Sequence, residues 1–213
     1  MATRKPPART LLLLIRHGRT PTTGLVLPGR APGLHLAPAG EREAESVAER
    51  LEGLPLAAIY ASPLERACET AAPTASRTGL AVLPEPGLSE LDAGDWTGEK
   101  LAKLARRTEW AAVQQAPSTF RFPGGDSFVD LQARVAGALD RIRAAHPGGT
   151  VVCVSHADPI KAAVAHAMGT HIDLFQRIVI STCSISAVAY GMGAPVVLTV
   201  NSTGGSLAEL RPS

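Results

Sequence analysis

Two histidines in this 213-residue chain stand at the ends of apolar runs, and each run reads as a buried strand. Arg16-His17-Gly18 follows residues 10–15, and Ser155-His156-Ala157 follows residues 150–154. If the two strands lie parallel in one sheet, both imidazoles reach the same rim, at the carboxyl ends of the strands, where open α/β sheets bind ligands. A third candidate strand, 56–60, leads into Ser62 to Glu69, which offers Arg66 in the first turn of a helix, where free backbone donors and the helix dipole already favour an anion. Arginine's planar fork of donors matches phosphate oxygens. Two arginines and two histidines at one rim therefore predict a phosphate cage.

Composition narrows the partners. Twenty-one Lys plus Arg face 19 Asp plus Glu, a net charge of +2, and aromatics make up only 4% of the chain. A nucleic-acid binder needs a clear positive excess or stacking platforms, so no nucleic acid is expected. The apolar run at Leu11 to Ile15 is too short for a signal peptide, and no stretch approaches the roughly 18 residues of a membrane span, so the expectation is a cytoplasmic protein without a membrane partner. Cys68, Cys153 and Cys183 lack metal or redox spacing and read as reduced thiols. Seventeen of the 21 cations are arginine, which genomic composition alone could explain for most of them.

The elements that must position these groups alternate. After a flexible tail over residues 1–9, strands are expected at 10–15, 56–60, 80–83 and 150–154, with a C-terminal hairpin of 185–190 and 196–200 around Gly191-Met192-Gly193-Ala194-Pro195. Helices are expected at 38–51, at 99–113, at 127–146 and at 159–168, the last closed by Gly169. Ser62 with Glu65 reads as a capping box for a further helix, and Ser127 with Asp130 as another. Asp158-Pro159 reads as an N-cap followed by Pro in the first turn. The stretch 17–36, punctuated by Pro and Gly, is a long loop. The fold class is thus α/β: a three-layer α/β/α sandwich, its central sheet mostly parallel with an antiparallel edge, with a small helical lid insertion at about 92–125. Residues 10–213 form one catalytic domain in this reading.

Four motifs add a resemblance. Leu14 to Thr20 (LIRHGRT), Ser62 to Thr70 (SPLERACET), Leu88 to Gly98 (LSELDAGDWTG) and Val154 to Asp158 (VSHAD) look like those of the histidine phosphatase superfamily, its phosphoglycerate-mutase-like branch, in order and spacing. The tail from Thr170 to Gly205 further resembles actinobacterial members described as phosphomutases or phosphatases. The resemblance implies that His17 is the nucleophile, taking a phosphoryl group on a ring nitrogen and passing it to water. Glu90 would protonate the leaving oxygen and then draw a proton from the water. Arg16, Arg66 and His156 would bind and stabilise the phosphoryl oxygens, with Thr23 and Ala157 as further substrate contacts and neither metal nor cofactor required.

Some positions leave alternatives open. Glu85, Asp92 and Asp95 are close enough in sequence to share or take the role of Glu90. Thr23 stands where the resemblance would place Asn, and Ala157-Asp158 where it would place glycines; an Asp158 turned into the pocket would oppose a dianionic substrate. Trp96 and Trp110 are expected to pack under the lid, and His35, His146, His166 and His171 to be structural or exposed. Arg19, Arg30, Arg106, Arg107 and Arg121 read mostly as solvated surface positions. The preferred function is hydrolysis of a small phosphomonoester. The rivals are a phosphoglycerate-type mutase, a phospholigand-binding protein without turnover, and a metal hydrolase using His17, His156 and the local Asp residues. The C-terminal hairpin offers an edge strand through which a homodimer could form.

Overall fold

The computed structural model describes residues 9–204; the expected tail thus lies, but for its last residue, outside the described part. A six-stranded sheet forms the middle layer, with strands β1 (Thr10–Arg16), β2 (Leu56–Ala61), β3 (Val82–Pro84), β4 (Thr150–Ser155), β5 (Ile185–Tyr190) and β6 (Val196–Ser202). Their order is β3-β2-β4-β1-β5-β6. The first four strands are mutually parallel, and β5 and β6 run antiparallel at one edge. The α/β class and the antiparallel edge are as the alternation of elements predicted.

Strand β1 shows why the sheet needs two covering layers. Leu12 and Leu14 pack with Leu131, Val135 and Ile142 of α5 (Phe128–Ala145) and Ile160 and Val164 of α6 (Ala157–Ala167). Leu11, Leu13 and Ile15 point the other way, onto Ala44 and Val47 of α1 (Pro38–Arg50) and Ala67 and Ala71 of α2 (Glu65–Thr78). Successive side chains of a strand face opposite sides, so an unbroken apolar run can be satisfied only by burial on both faces.

One register matters above the others. Arg16 is paired with Ser155 across the parallel β1–β4 ladder, so the next residues, His17 and His156, leave the sheet at the same level. The two strands were expected to meet, and the register brings their histidines side by side.

Several boundaries differ from expectation. β3 begins two residues later than Leu80, after Gly79 closes α2 in a left-handed conformation. α2 begins at Glu65 after Leu64, and Ser62 does not cap it: its hydroxyl sits 2.8 Å from Nε2 of His156 and accepts from the Leu64 N–H at 3.4 Å rather than from the first turn of the helix. The helix expected over 99–113 is two short ones, α3 (Leu101–Leu104) and α4 (Trp110–Gln115). At about 100° per residue, a continuous helix would carry Trp110 to the face roughly opposite Leu101. The break lets Leu101, Leu104, Trp110 and Val113 all join one aromatic-rich core. α6 starts two residues early, with His156 as its cap residue, so Asp158 is not an N-cap but lies inside the first turn. The capping box of α5 is as expected: Ser127 Oγ accepts from the Asp130 N–H at 3.1 Å, and the Asp130 carboxylate accepts from the Ser127 N–H at 3.4 Å.

Candidate active site

His17 emerges from β1 almost fully buried, its backbone N–H bonded to the Ser155 carbonyl at 2.9 Å. Its Nδ1 lies 2.7 Å from the Gly18 carbonyl oxygen, which can only accept. The proton therefore sits on Nδ1, and Nε2 is left with its lone pair. Gly18 has no room for a side chain, since a Cβ there would meet the Gly40 carbonyl oxygen at 2.6 Å. Its N–H donates to Thr70 Oγ1 at 2.9 Å, and the Thr70 hydroxyl donates to the Arg66 carbonyl at 2.7 Å. The turn after β1 is thus locked to α2.

The His156 ring stands 5.1 Å from that of His17, centroid to centroid. Arg66, fully buried, donates from Nη2 to the Gly29 carbonyl at 2.9 Å, and Arg16 from Nη1 to the Ile180 carbonyl at 2.6 Å. What these groups leave over is informative. Arg16 Nε, Arg66 Nε and Nη1, and His156 Nδ1 are buried without a hydrogen-bond partner in the protein. Buried polar groups are rarely left so, and here all four belong to residues that neighbour His17 in space or through their charge.

The electrostatics follow from this crowding of cations. Burial, then the Arg66 guanidinium and more weakly Arg16, pull the His17 pKa down to about 3 against the Gly18 hydrogen bond. Burial and the same neighbours, His17 first, hold His156 well below the ordinary imidazole range. Both rings are therefore neutral at physiological pH. Glu90 moves the other way: burial first and the Asp158 carboxylate second push it up to about 7, against the Leu91 N–H and the two arginines. It can give and take a proton near neutrality.

A cavity of about 300 Å³ opens over the cage, walled by His17, Arg16, Thr23, Glu90, Ala157 and Asp158 among others. All seven predicted site residues are thus gathered: five wall the cavity, and Arg66 and His156 are buried against His17. Thr23 is half committed, its hydroxyl accepting from the Thr20 N–H at 2.8 Å. Asp158 lies in the cavity wall rather than capping α6, paired with Lys161 at 3.2 Å, and Lys161 also donates to Gln176 at 2.9 Å. Glu85 caps a short turn and pairs with Arg141, the Asp92 carboxylate accepts from the Gly94 N–H, and Asp95 is exposed and outside the cavity wall, so none of the three competes with Glu90.

Trp96 is buried beneath the 92–125 segment as expected, whereas Trp110, stacked on it at 6.3 Å, also walls the cavity. Arg30 is not a solvated surface cation: its Nε donates to the Glu90 carbonyl at 2.8 Å and its Nη2 to Asp126 at 2.6 Å. Sequence reading missed Ser62, Asp126, Arg134 and Lys161. Ser62 alone carried a local signal, and that signal suggested a cap. The three cysteines are free, two buried and Cys68 partly exposed, and no cluster of three or more His, Cys, Asp or Glu side chains among the described residues could hold a metal ion.

The comparisons agree with this geometry. A profile of the histidine phosphatase superfamily (branch 1) matches residues 12–203. An uncharacterised protein of Mycobacterium tuberculosis is 38% identical over 159 residues, covering 72% of this chain and 76% of that one. Phosphoserine phosphatase 1 of Hydrogenobacter thermophilus is 29% identical over 197 residues, 90% of this chain and 92% of its own. Among solved structures, a mutant phosphoserine phosphatase of Entamoeba histolytica in complex with phosphoserine superposes with a TM-score of 0.82 at 27% identity, over 91% of this chain and 98% of that chain. No helix among the described residues is long and apolar enough to cross a membrane. With its paired strand-end histidines, its motif order and this match along almost its whole length, the chain belongs to the histidine phosphatase superfamily, branch 1.

Proposed function

We propose that the protein is a phosphatase that hydrolyses a small phosphomonoester through a phosphohistidine at His17, without a metal, and that residues 10–213 work as one domain with 92–125 as its lid. The observation that carries the proposal is the set of unpaired buried nitrogens, three guanidinium donors on Arg16 and Arg66 and Nδ1 of His156, beside a neutral imidazole. Donors fixed in place before the reaction stabilise developing charge without reorganising, which is the usual electrostatic source of phosphoryl-transfer catalysis.

The steps follow from the protonation states. Nε2 of His17 uses its lone pair to form an N–P bond as the ester P–O bond breaks, and the departing oxygen takes the proton of Glu90. Glu90, now a carboxylate, removes a proton from water, the water oxygen bonds to phosphorus, and the N–P bond breaks to return the lone pair to Nε2. His156 has Nε2 2.8 Å from the Ser62 hydroxyl and Nδ1 unpaired; in the tautomer in which Ser62 donates to Nε2, Nδ1–H is the donor to the phosphoryl group. Thr23 and Ala157 contact the substrate at the cavity wall.

Two observations favour hydrolysis of a compact ester over mutase action. The cavity of about 300 Å³ is at the small end for ligand sites. A mutase must also hold a second phosphate, and the cavity-wall cation outside the cage, Lys161, is already bonded to Asp158 and Gln176. The superfamily relatives named for phosphoserine phosphatase activity support the same class of reaction.

The test is turnover of p-nitrophenyl phosphate by the wild type and His17→Ala, with and without chelator. Activity that survives the substitution would exclude a nucleophilic His17, loss with chelator would favour the metal hydrolase, and no activity in the wild type would leave a binding protein. Supplying 3-phosphoglycerate separates the mutase: 2-phosphoglycerate without net phosphate release would defeat the hydrolase reading.

A further inference from the structure

The mechanism asks more of Glu90 than its pKa. A general acid must hold its proton within hydrogen-bond reach of the leaving oxygen, and a displacement of about 1 Å can cost on the order of a hundredfold in rate. Glu90 lies in an irregular stretch between two short 3₁₀ turns, Pro86–Leu88 and Gly94–Trp96, so neither a helix nor a strand fixes its backbone. Something else must.

The Glu90 carbonyl oxygen accepts from two guanidinium groups. Arg30 Nε reaches it at 2.8 Å from the loop after β1, and Arg134 Nη2 at 3.2 Å from α5. Arg134 Nη1 also takes the carbonyls of Ser89, at 2.8 Å, and Gly87, at 3.0 Å, so one side chain spans the run that leads to Glu90. Two guanidinium groups on one oxygen repel each other, and Asp126 supplies the counter-charge. Its Oδ2 accepts from Arg30 Nη2 at 2.6 Å, lies 3.4 Å from Arg134 Nη2 and accepts from the Asp92 N–H at 3.2 Å. The Asp126 N–H in turn donates to the Asp92 carbonyl at 2.9 Å. Asp92 opens the 92–125 segment and Asp126 directly follows it, so these bonds staple the segment shut at its base.

The same group reaches the phosphate cage. Gly29, the neighbour of Arg30, gives its carbonyl to Arg66 Nη2 at 2.9 Å. The dipeptide Gly29-Arg30 thus ties the guanidinium beside His17 to the backbone of the proposed proton donor. The Arg134 and Asp126 side chains are about three-quarters buried and that of Arg30 is 35% exposed, so salt screens these pairs less than it would pairs at the open surface.

We propose that Arg30, Asp126 and Arg134 are positioning residues: a clamp on the Glu90 carbonyl that aims its carboxyl at the leaving oxygen and sets its distance from the phosphate cage through Gly29. The clamp touches neither substrate nor reacting atoms. It rests on the reading of Glu90 as the general acid, and its signature is confined to the step in which that acid works.

The experiment separates that signature from a general loss of structure. kcat/KM reports events up to departure of the alcohol. An alkyl leaving group needs Glu90's proton, whereas p-nitrophenolate leaves with little help. kcat/KM is measured for glycerol 2-phosphate and p-nitrophenyl phosphate in the wild type, Arg134→Lys, Arg30→Lys, Glu90→Gln and the double variants of each arginine change with Glu90→Gln, with thermal melting as the check on folding. Glu90→Gln is expected to lower the alkyl-to-aryl ratio by about 10² or more, the scale of general acid catalysis. Either arginine variant is expected to lower it by about tenfold or more, and neither to lower it further once Glu90 is Gln. Arg30→Lys carries the test if Arg134→Lys does not fold.

Equal losses on both substrates, or an arginine effect that persists in the Glu90→Gln background, would overturn the clamp and leave the phosphatase reading intact. A ratio unmoved by Glu90→Gln itself would overturn the acid role of Glu90, and the clamp with it.

Discussion

Replacing Asp158 with Asn tests whether the cavity's second carboxylate tunes the first. Glu90 is pushed up to about 7 from an ordinary 4.5. Burial is the larger cause and the Asp158 charge the next, so Asp158→Asn removes part of the displacement and leaves the burial. With that charge gone, the Glu90 pKa is expected to fall by about one unit, the order of a neighbouring-charge effect. The general acid must be protonated, so the alkaline limb of log kcat/KM for an alkyl phosphate falls near pH 7 in the wild type and about one unit lower in the variant. At pH 7.5 the protonated fraction drops from about one quarter to about 3%, an expected loss of about eightfold, while at pH 5 this loss disappears. Weaker repulsion of the dianionic substrate would raise the whole profile without moving the limb, so the position of the limb is the quantity to read. Phosphate release measured from pH 4 to 9 on both proteins gives it. An alkaline limb that stays in place, or moves to higher pH, would refute the coupling between the two carboxylates.

Acid should destabilise the fold through the buried imidazoles. His17 is held at about 3 when native and returns to about 6.5 when unfolded, so the unfolded chain binds the extra proton below pH 6.5, and stability falls by about 1.4 kcal/mol per pH unit down to the native value. Urea titrations at pH 5 and 6.5 should show a shallower dependence in His17→Ala by about that slope, and identical slopes would contradict it. Glu90, raised in the native state, acts with the opposite sign and weakens the fold as pH rises from 4.5 towards 7. Arg66→Lys, which loses the fork and its two free donors, should weaken competitive inhibition by vanadate by about tenfold or more, on the scale of a hydrogen bond to a charged group; unchanged inhibition would remove Arg66 from the cage. Ser127→Ala breaks the capping box of α5 and should cost about 1 kcal/mol in chemical denaturation while leaving turnover within about twofold.

The local grammar of this chain declared most of its elements and the meeting of His17 and His156 at one rim of the sheet. The apolar run of β1, the three-and-four spacing of Phe128, Leu131, Val135 and Ile142, and the Ser127–Asp130 box are local rules acting over a few residues, and the structure obeys them. His17 and His156 were legible because a residue that ends a parallel strand has its address fixed by the sheet. Glu90 was nominated by resemblance, with Glu85, Asp92 and Asp95 still eligible. Only the tertiary structure separated them, since which carboxylate faces the cavity depends on the path of an irregular backbone.

Asp158 and Ser62 misled for a related reason. Each matched a helix-start pattern, but a short polar side chain also has nonlocal partners open to it, and here Lys161 with the cavity and His156 prevailed. The break between α3 and α4 lets Leu101 and Trp110, which a continuous helix would set on opposite faces, share one aromatic-rich core. Arg30, Asp126 and Arg134 lie furthest from sequence reading. Guanidinium donors and backbone carbonyls occur everywhere in a chain, and which of them meet at Glu90 is determined by the packing of a loop, a lid base and a helix that are distant in sequence.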